Sequence, residues 1–429
     1  MQIVKTFRTI SKTDLLRSAG TYGIFSLINS AIPFFLLPVL TRYLSPEDYG
    51  YVSVFNIMLS IAVALGGCNF AGAYSRAYFA EDRFQAPVYF GTVVMATMYI
   101  GAIFTLLVLV TKSAISNLFS FPASWLWLVP VSATALSINN IILAHWQVRN
   151  KPRHYGLFIN TRTIFRAIMS IIFVVMINLN WRGQVFAIVS APFIFAPIGL
   201  MIMKNSASIY FSIDKIYLKH ALNFGIPLIP HALAGILNSS INRIFISKMI
   251  GLAETGLFTV GFQLGSLILL FVTAFNHAYS PWLFKKLNQK SYVTNIKIVK
   301  LTYLYFIIIL LGTLIYGMSA PSIIQIFVGK EFQGSYVYVL WISLGFAFTG
   351  MYYMVVNYIF YAEKTKYLAL ATITTSLLNI GLNYIFIKRN GPIGAAQATT
   401  ITSFCTFLLV WYLSSKVYKM PWNIFKLLK

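Results

Sequence analysis

Residues Val88–Val110 read VYFGTVVMATMYIGAIFTLLVLV, without a single charged side chain. At 1.5 Å of rise per residue, a helix of this length crosses the roughly 30 Å hydrocarbon core of a bilayer. A helix is therefore the conformation that keeps every backbone hydrogen bond inside the segment.

Comparable windows fall near 19–40, 50–70, 124–146, 156–178, 184–203, 223–247, 257–279, 299–319, 336–360, 367–387 and 393–414. Together with Val88–Val110 they predict an all-α, polytopic membrane protein of about twelve spans. The weakest is 184–203, which is short and holds Pro192 and Pro197. Composition agrees: 58% of the 429 residues are hydrophobic and 10% charged, against about 25% charged in a soluble domain. Mean hydropathy is +0.75.

The net charge of +24 comes from 33 Lys and Arg against 9 Asp and Glu. In a soluble chain it would suggest a nucleic-acid partner. Here the basic residues are spread over short loops, and no nucleic-acid-binding motif accompanies them, so no nucleic acid is expected. With the N-terminus cytoplasmic, 23 of them fall on the cytoplasmic side. Arg42, Lys112, Arg182, Lys248, Lys330, Lys388 and Arg389 fall on the other. Arg162, Arg166 and Arg243 fall within spans. This asymmetry is the positive-inside pattern for twelve spans with both termini cytoplasmic. The domains expected are a tail at 1–18, a six-helix lobe at 19–203, a cytoplasmic linker at 204–222, a second six-helix lobe at 223–414 and a tail at 415–429.

Several chemistries are excluded. No P-loop segment occurs, and the loops leave no room for a nucleotide-binding domain or a large external catalytic loop. Cys68 and Cys405 lie singly in apolar stretches and read as small core residues. His145, His231 and His277 lie in or beside spans without metal-binding spacing. No metal, cofactor or enzyme activity is expected.

The two halves carry a faint repeat at an offset of 206 residues. Leu40–Val54, LTRYLSPEDYGYVSV, matches Ile246–Val260, ISKMIGLAETGLFTV. Each runs out of one span, past a basic residue, an acidic residue and a glycine, and into the next. Six spans per half give the halves the same orientation, related by an axis along the membrane normal.

Four markers appear in order along the chain: Pro38-x-Leu40-Thr41-Arg42-x-Leu44-x-Pro46-x-x-Tyr49-Gly50; Gly225-Ile226-Pro227-Leu228-Ile229-Pro230 followed by Asn242-Arg243; Ala278-Tyr279-Ser280-Pro281-Trp282-Leu283-Phe284; and Gly391-Pro392-Ile393-Gly394-Ala395-Ala396-x-Ala398-Thr399. In these the chain resembles the multidrug/oligosaccharidyl-lipid/polysaccharide (MOP) flippase superfamily, and within it the polysaccharide and O-antigen flippases. The resemblance implies two pseudo-symmetric six-helix lobes around a central cavity, in the bacterial inner membrane. The implied cargo is an undecaprenyl-pyrophosphate-linked oligosaccharide, with membrane lipids, a polysaccharide polymerase and chain-length proteins as further partners. One departure is that relatives often carry Asp-Arg where this chain has Asn242-Arg243. If that Asp serves ion coupling in relatives, the resemblance does not carry the coupling to this position.

The charges support an anion path. The nine acids all fall in tails or loops by these windows, whereas cations enter the spans. An ionised group at mid-bilayer is costly unless it faces protein or water. Arg162 and Arg166, four residues apart, share one helix face, and Arg243 lies deep in the seventh span. A guanidinium offers phosphate a planar fork of donors. Arg243, Arg162, Arg166 and, near the second span's cytoplasmic end, Arg76 are therefore candidates to contact a pyrophosphate or acidic sugar. Snorkelling to lipid headgroups, or topology anchoring for Arg76, is the alternative. Arg42 and Lys248, at matching repeat positions, are candidates for an outer contact with the substrate head, or else for loop salt bridges with Glu47, Asp48 or Glu254. The asparagines within spans bond either sugar hydroxyls or neighbouring helices. Gly261-x-x-x-Gly265 has the spacing of a close helix contact.

The expected function is translocation of the lipid-linked unit by alternating access. The alternatives are a multidrug efflux pump of the MATE type, which generally uses buried carboxylates, or a membrane polymerase or ligase, which needs catalytic groups the short loops lack.

Overall fold

The computed structural model describes residues 12–80, 83–206, 210–289, 291–364 and 366–423. Lys5, Arg8, Glu81, Asp82, Lys290, Lys426 and Lys429 lie outside the described residues. Every element described is helical, and twelve stretches are long and apolar enough to cross a membrane, as the hydropathy windows predict.

The first six spans are built from α1 (Lys12–Tyr43), α2 (Pro46–Gly66), α4 (Ala86–Phe119), α5 (Leu128–Val148), α6 (Pro152–Ser170) and α7 (Asn180–Ser206), with the nine-residue α3 (Phe70–Tyr78) following α2. A π-helical turn, Ile171–Met176, extends α6. The seventh span joins α8 (Lys215–Gly225) through a 3-10 turn, Ile226–Leu228, to α9 (Ile229–Met249). The remaining five are α10 with α11 (Leu252–Gly265 and Leu267–Leu287), α12 (Tyr292–Phe327), α13 (Tyr336–Tyr361), α14 (Lys366–Asn390) and α15 (Ile393–Val417).

The chain divides into two compact units, Met1–Ser240 and Ile241–Lys429. The division falls inside α9, and the segment expected as a linker is 204–222. That linker is itself partly helical, because Asp214 accepts from the amides of Ile216 and Tyr217 and starts α8. The first helix begins at Lys12, and its candidate span at Gly20.

Within the first unit the fourth span is the hub, packing on α2, α3, α4, α6 and α7. Its core includes Phe70, Tyr74, Tyr89, Phe90, Ile142 and Trp146. The third span shows why the fold needs a bilayer. Tyr89, Phe90, Val93 and Val94 are buried, but farther along Ile103, Leu106, Leu107 and Val110 are exposed. A continuous apolar face of this kind belongs in lipid, not water. The proline-bearing sixth span stays one helix, and Asn139 of the fourth donates to the carbonyl of Pro192 at 2.8 Å.

Within the second unit α13 is the hub, packing on α10, α11, α12 and α15. The Gly261 and Gly265 pair permits the close approach its spacing suggests. A Cβ at Gly261 would lie 2.8 Å from the Ser335 carbonyl, and one at Gly265 would lie 2.7 Å from Ile342.

The repeat is visible locally in each unit. Arg42 and Lys248 lie in the last turns of α1 and α9, and Glu47 with Asp48, and Glu254, lie in the first turns of α2 and α10. Acids at helix N-termini and bases at C-termini both complement the helix dipole. The turns themselves differ. α10 is preceded by Gly251 at φ 141°, a conformation that favours glycine. α2 starts from Ser45, whose hydroxyl accepts from the Asp48 amide while the Asp48 carboxylate accepts from the Ser45 amide and hydroxyl. This reciprocal box is worth about 1 kcal/mol. Ser45→Ala is expected to lower the thermal midpoint of the purified protein by about 1–2 °C, read by unfolding in detergent, without changing expression.

Candidate functional site

Arg162 and Arg166 lie on α6, half-buried. Nη1 of Arg162 is buried and has no hydrogen-bond partner. On the same helix, Tyr155 meets Tyr22 edge-to-face at 5.3 Å, and Thr163 donates to Asn29 at 2.5 Å, so the first span packs along the fifth here. Tyr49, from the first marker, lies within electrostatic range of Arg166.

Arg243 belongs to the second unit. Its guanidinium carbon stands 4.6 Å above the centre of the Phe262 ring, and its Nε is buried without a hydrogen-bond partner. Phe262 is held in turn by Phe346 at 5.7 Å. A cation over an aromatic face is stabilised by about 0.5–2 kcal/mol. The neighbouring Asn242 faces inward, 4% exposed, and donates to Thr399 at 2.6 Å.

The other candidates are exposed. Arg76 sits in the last turn of α3, and Arg42 and Lys248 in the last turns of their helices. Arg42 donates to the Pro38 carbonyl at 3.2 Å. Asp48 is engaged in the Ser45 box and accepts from the Trp181 amide at 3.3 Å, and Glu254 accepts from the Tyr338 hydroxyl at 3.1 Å. The structure thus brings Arg162 and Arg166 onto one helix face of the first unit, and sets Arg243 in the second.

Acidic groups keep to the edges. Among the described side chains, Glu47, Asp48, Glu254 and Glu331 lie in first turns, Asp214 caps α8, and Glu363 lies in a turn. No group of three or more His, Cys, Asp or Glu able to hold a metal occurs among the described residues. His145 is committed to a 2.7 Å hydrogen bond with Tyr74 through Nδ1. Several span asparagines join helices: Asn139 to Pro192, Asn357 to Asn276, and Asn379 to Thr402.

A feature absent from the sequence reading lies beyond the end of α2. The second span breaks at Gly67–Asn69, and Cys68 and Asn69 adopt left-handed φ values of 43° and 47°. Such non-glycine residues cost on the order of 1–3 kcal/mol each and persist where the surroundings hold them. Gly225 supplies part of that hold, since a Cβ there would collide with the Cys68 carbonyl oxygen. Cys68 is buried. Beside the break lies a largely apolar cavity of about 460 Å³, whose lining includes Ser60, Asn69, Ser137, Asn140 and His231. The signal was the run Gly66-Gly67-Cys68-Asn69 within an apolar stretch, since Gly pairs and inserted polar groups are what break long helices.

Fold and site define a class: an all-helical membrane protein with twelve candidate spans and with arginines, Arg162, Arg166 and Arg243, inside packed spans. The chain belongs to the family described as polysaccharide biosynthesis protein, whose model matches residues 15–287. It is 25% identical over 372 residues to an uncharacterized membrane protein of Haemophilus influenzae, covering 86% of this chain and 89% of the relative. It is 23% identical over 413 residues to the Lsg locus putative protein 1 of the same organism, covering 94% and 99%. Its fold is shared with the lipid II flippase MurJ in an inward closed conformation, at TM-score 0.73 and 16% identity, covering 91% of this chain and 87% of that one. It is shared also with an inward-facing multidrug resistance MATE family transporter of the MOP superfamily, at TM-score 0.65 and 15% identity, covering 92% and 94%. The MOP resemblance carried by the four markers is matched by the fold.

Proposed function

We propose that this chain is a flippase for an undecaprenyl-pyrophosphate-linked oligosaccharide, an O-antigen or related repeat unit. It moves that unit from the inner to the outer leaflet of the bacterial inner membrane by alternating access, with both termini cytoplasmic. The observation that carries this reading is the set of guanidinium groups inside the spans. Arg162 and Arg243 keep buried nitrogens free of hydrogen-bond partners, with the described acids confined to helix starts and loops. A diphosphate headgroup supplies the missing acceptors and charge. The lipid tail stays in the bilayer while the polar head crosses beside these residues. Arg76, Arg42 and Lys248, exposed at helix ends, are assigned to the headgroup's approach and release, and a polymerase and chain-length proteins act on the delivered unit.

The MATE-like fold favours a second reading, drug efflux. The arrangement of charge argues against it, since a cationic drug gains nothing from arginines and needs deep carboxylates, whereas the described acids lie at helix starts and in loops. A deletion strain separates the two. Lipid-linked oligosaccharide is expected to accumulate on the inner leaflet, measured by accessibility to an external glycosidase, with drug susceptibility unchanged. Accumulation of single repeat units on the outer leaflet would point instead to a polymerase.

A further inference from the structure

Between Glu254 and Glu331 the sequence holds no acid, yet Lys285, Lys286, Lys290, Lys297 and Lys300 crowd into its middle. They bracket the turn from α11 to α12. Lys285 and Lys286 stand in the last turn of α11, and Lys297 and Lys300 in the second and third turns of α12. The helix dipole supports a base in a last turn, but not one just past a first turn. Lys297 and Lys300 therefore need another reason.

Their place around α12 supplies it. At about 3.6 residues per turn, both lysines share a face with Leu304, Ile308, Leu311 and Ile315, all of them exposed. The opposite face, Ile298, Val299, Thr302 and Phe306, is buried. An exposed apolar stripe on a span meets lipid. The lysines continue that stripe past its end, since α12 carries no charge from Leu301 to Phe327. They lie where hydrocarbon gives way to headgroups, and the exposed Tyr292 beyond them suits the same level. The turn is fixed in place, because Asn288 accepts from the Tyr361 hydroxyl of α13 at 2.7 Å and Ser291 caps α12. Charge is balanced elsewhere in the unit. Lys330, past the far end of α12, adjoins Glu331, and Glu363, in the turn after α13, adjoins Lys364.

We propose that this edge of the second unit binds anionic phospholipid headgroups. Lys297 and Lys300 engage the phosphates of lipids whose chains run along Leu304 and Ile308, and Lys285 and Lys286 add charge across the turn. Clusters of four or more basic residues immediately beside a span favour such lipids. The surface is separate from the arginines and does not depend on what the protein carries.

The test uses the full chain in maltoside detergent, titrated with fluorescent phosphatidylglycerol and with phosphatidylcholine bearing the same fluorophore. Each lysine beside an anionic surface contributes about a fivefold factor. Phosphatidylglycerol is expected to bind at least about tenfold tighter than phosphatidylcholine, with a preference that falls as salt rises. Lys297→Gln combined with Lys300→Gln should remove the preference, and Lys297→Arg combined with Lys300→Arg, which keeps both charges, should retain it. Lys330→Gln combined with Lys388→Gln takes the same charge from the far end of the unit and should leave the preference unchanged. All four side chains are exposed, so the variants should melt like wild type. Equal binding of the two lipids, a preference that survives the Lys297 and Lys300 glutamines, or an equal loss in both glutamine pairs overturns the proposal. So does displacement by glycerol phosphate at the concentration of the lipid, which marks a site for a soluble anion. The deletion-strain result for transport is untouched by any of these outcomes.

Discussion

Replacing Arg162, Arg166 and Arg243 together with alanine is expected to abolish surface display of the glycan at unchanged protein level. Hydrogen bonds to charged groups contribute about 1.5–3 kcal/mol each, and each 1.4 kcal/mol is a factor of about ten. One lost contact therefore slows translocation about tenfold, and three lost contacts take it below detection. A snorkelling arginine would behave otherwise, because it carries its head into water or headgroups. The buried, unpartnered Nη1 of Arg162 and Nε of Arg243 have not done so. Leaving such groups unsatisfied costs the resting protein stability. The triple variant should therefore melt no lower than wild type, apart from the ring contact that Arg243 loses with Phe262. Lysine at the three positions keeps the charge but not the fork, and should restore display only in part. Complementation of a deletion strain, with glycan blotted from whole cells, reads all of this. Normal display in the alanine variant would remove the arginines from the transport path.

The spans were legible because lipid selects side chains simply. A helix in hydrocarbon shows its requirement in every residue, so Val88–Val110 could be read without its neighbours. α8 was not legible in the same way. Lys215, Lys219, His220 and Asn223 break the apolar window, and the helix is set by the Asp214 cap and by packing on α3 and α4. The depth of Arg243 followed from its place in the seventh span, but its seat on Phe262 is a contact between helices that no local pattern encodes. The cavity was hidden for a related reason. Asn69 and Ser137 are residue types that elsewhere glue helices together, as Asn139 and Asn379 do here.

Gly225, in the second marker, should prove far less replaceable than Gly235, ten residues along the same span. Both lie in helical backbone with φ open to any residue. At Gly235 an added Cβ meets nothing within 4 Å, and Gly235→Ala is expected to be neutral or to stabilise the helix by up to about 1 kcal/mol. At Gly225 the same methyl runs into the carbonyl of Cys68, which is backbone and cannot rotate away. The seventh span must move off the second, and overpacking of this kind costs about 1–3 kcal/mol or more. Cys68 and Asn69 are held in left-handed conformations beside that contact, so the displacement releases the break as well. Gly225→Ala is therefore expected to reduce the yield of folded protein sharply and to lower its thermal midpoint by several degrees. Whatever folds should lose glycan display, because the displaced seventh span is the one that carries Arg243. A Gly225→Ala protein that expresses, melts and transports like the Gly235→Ala control means that the two spans do not touch at this point.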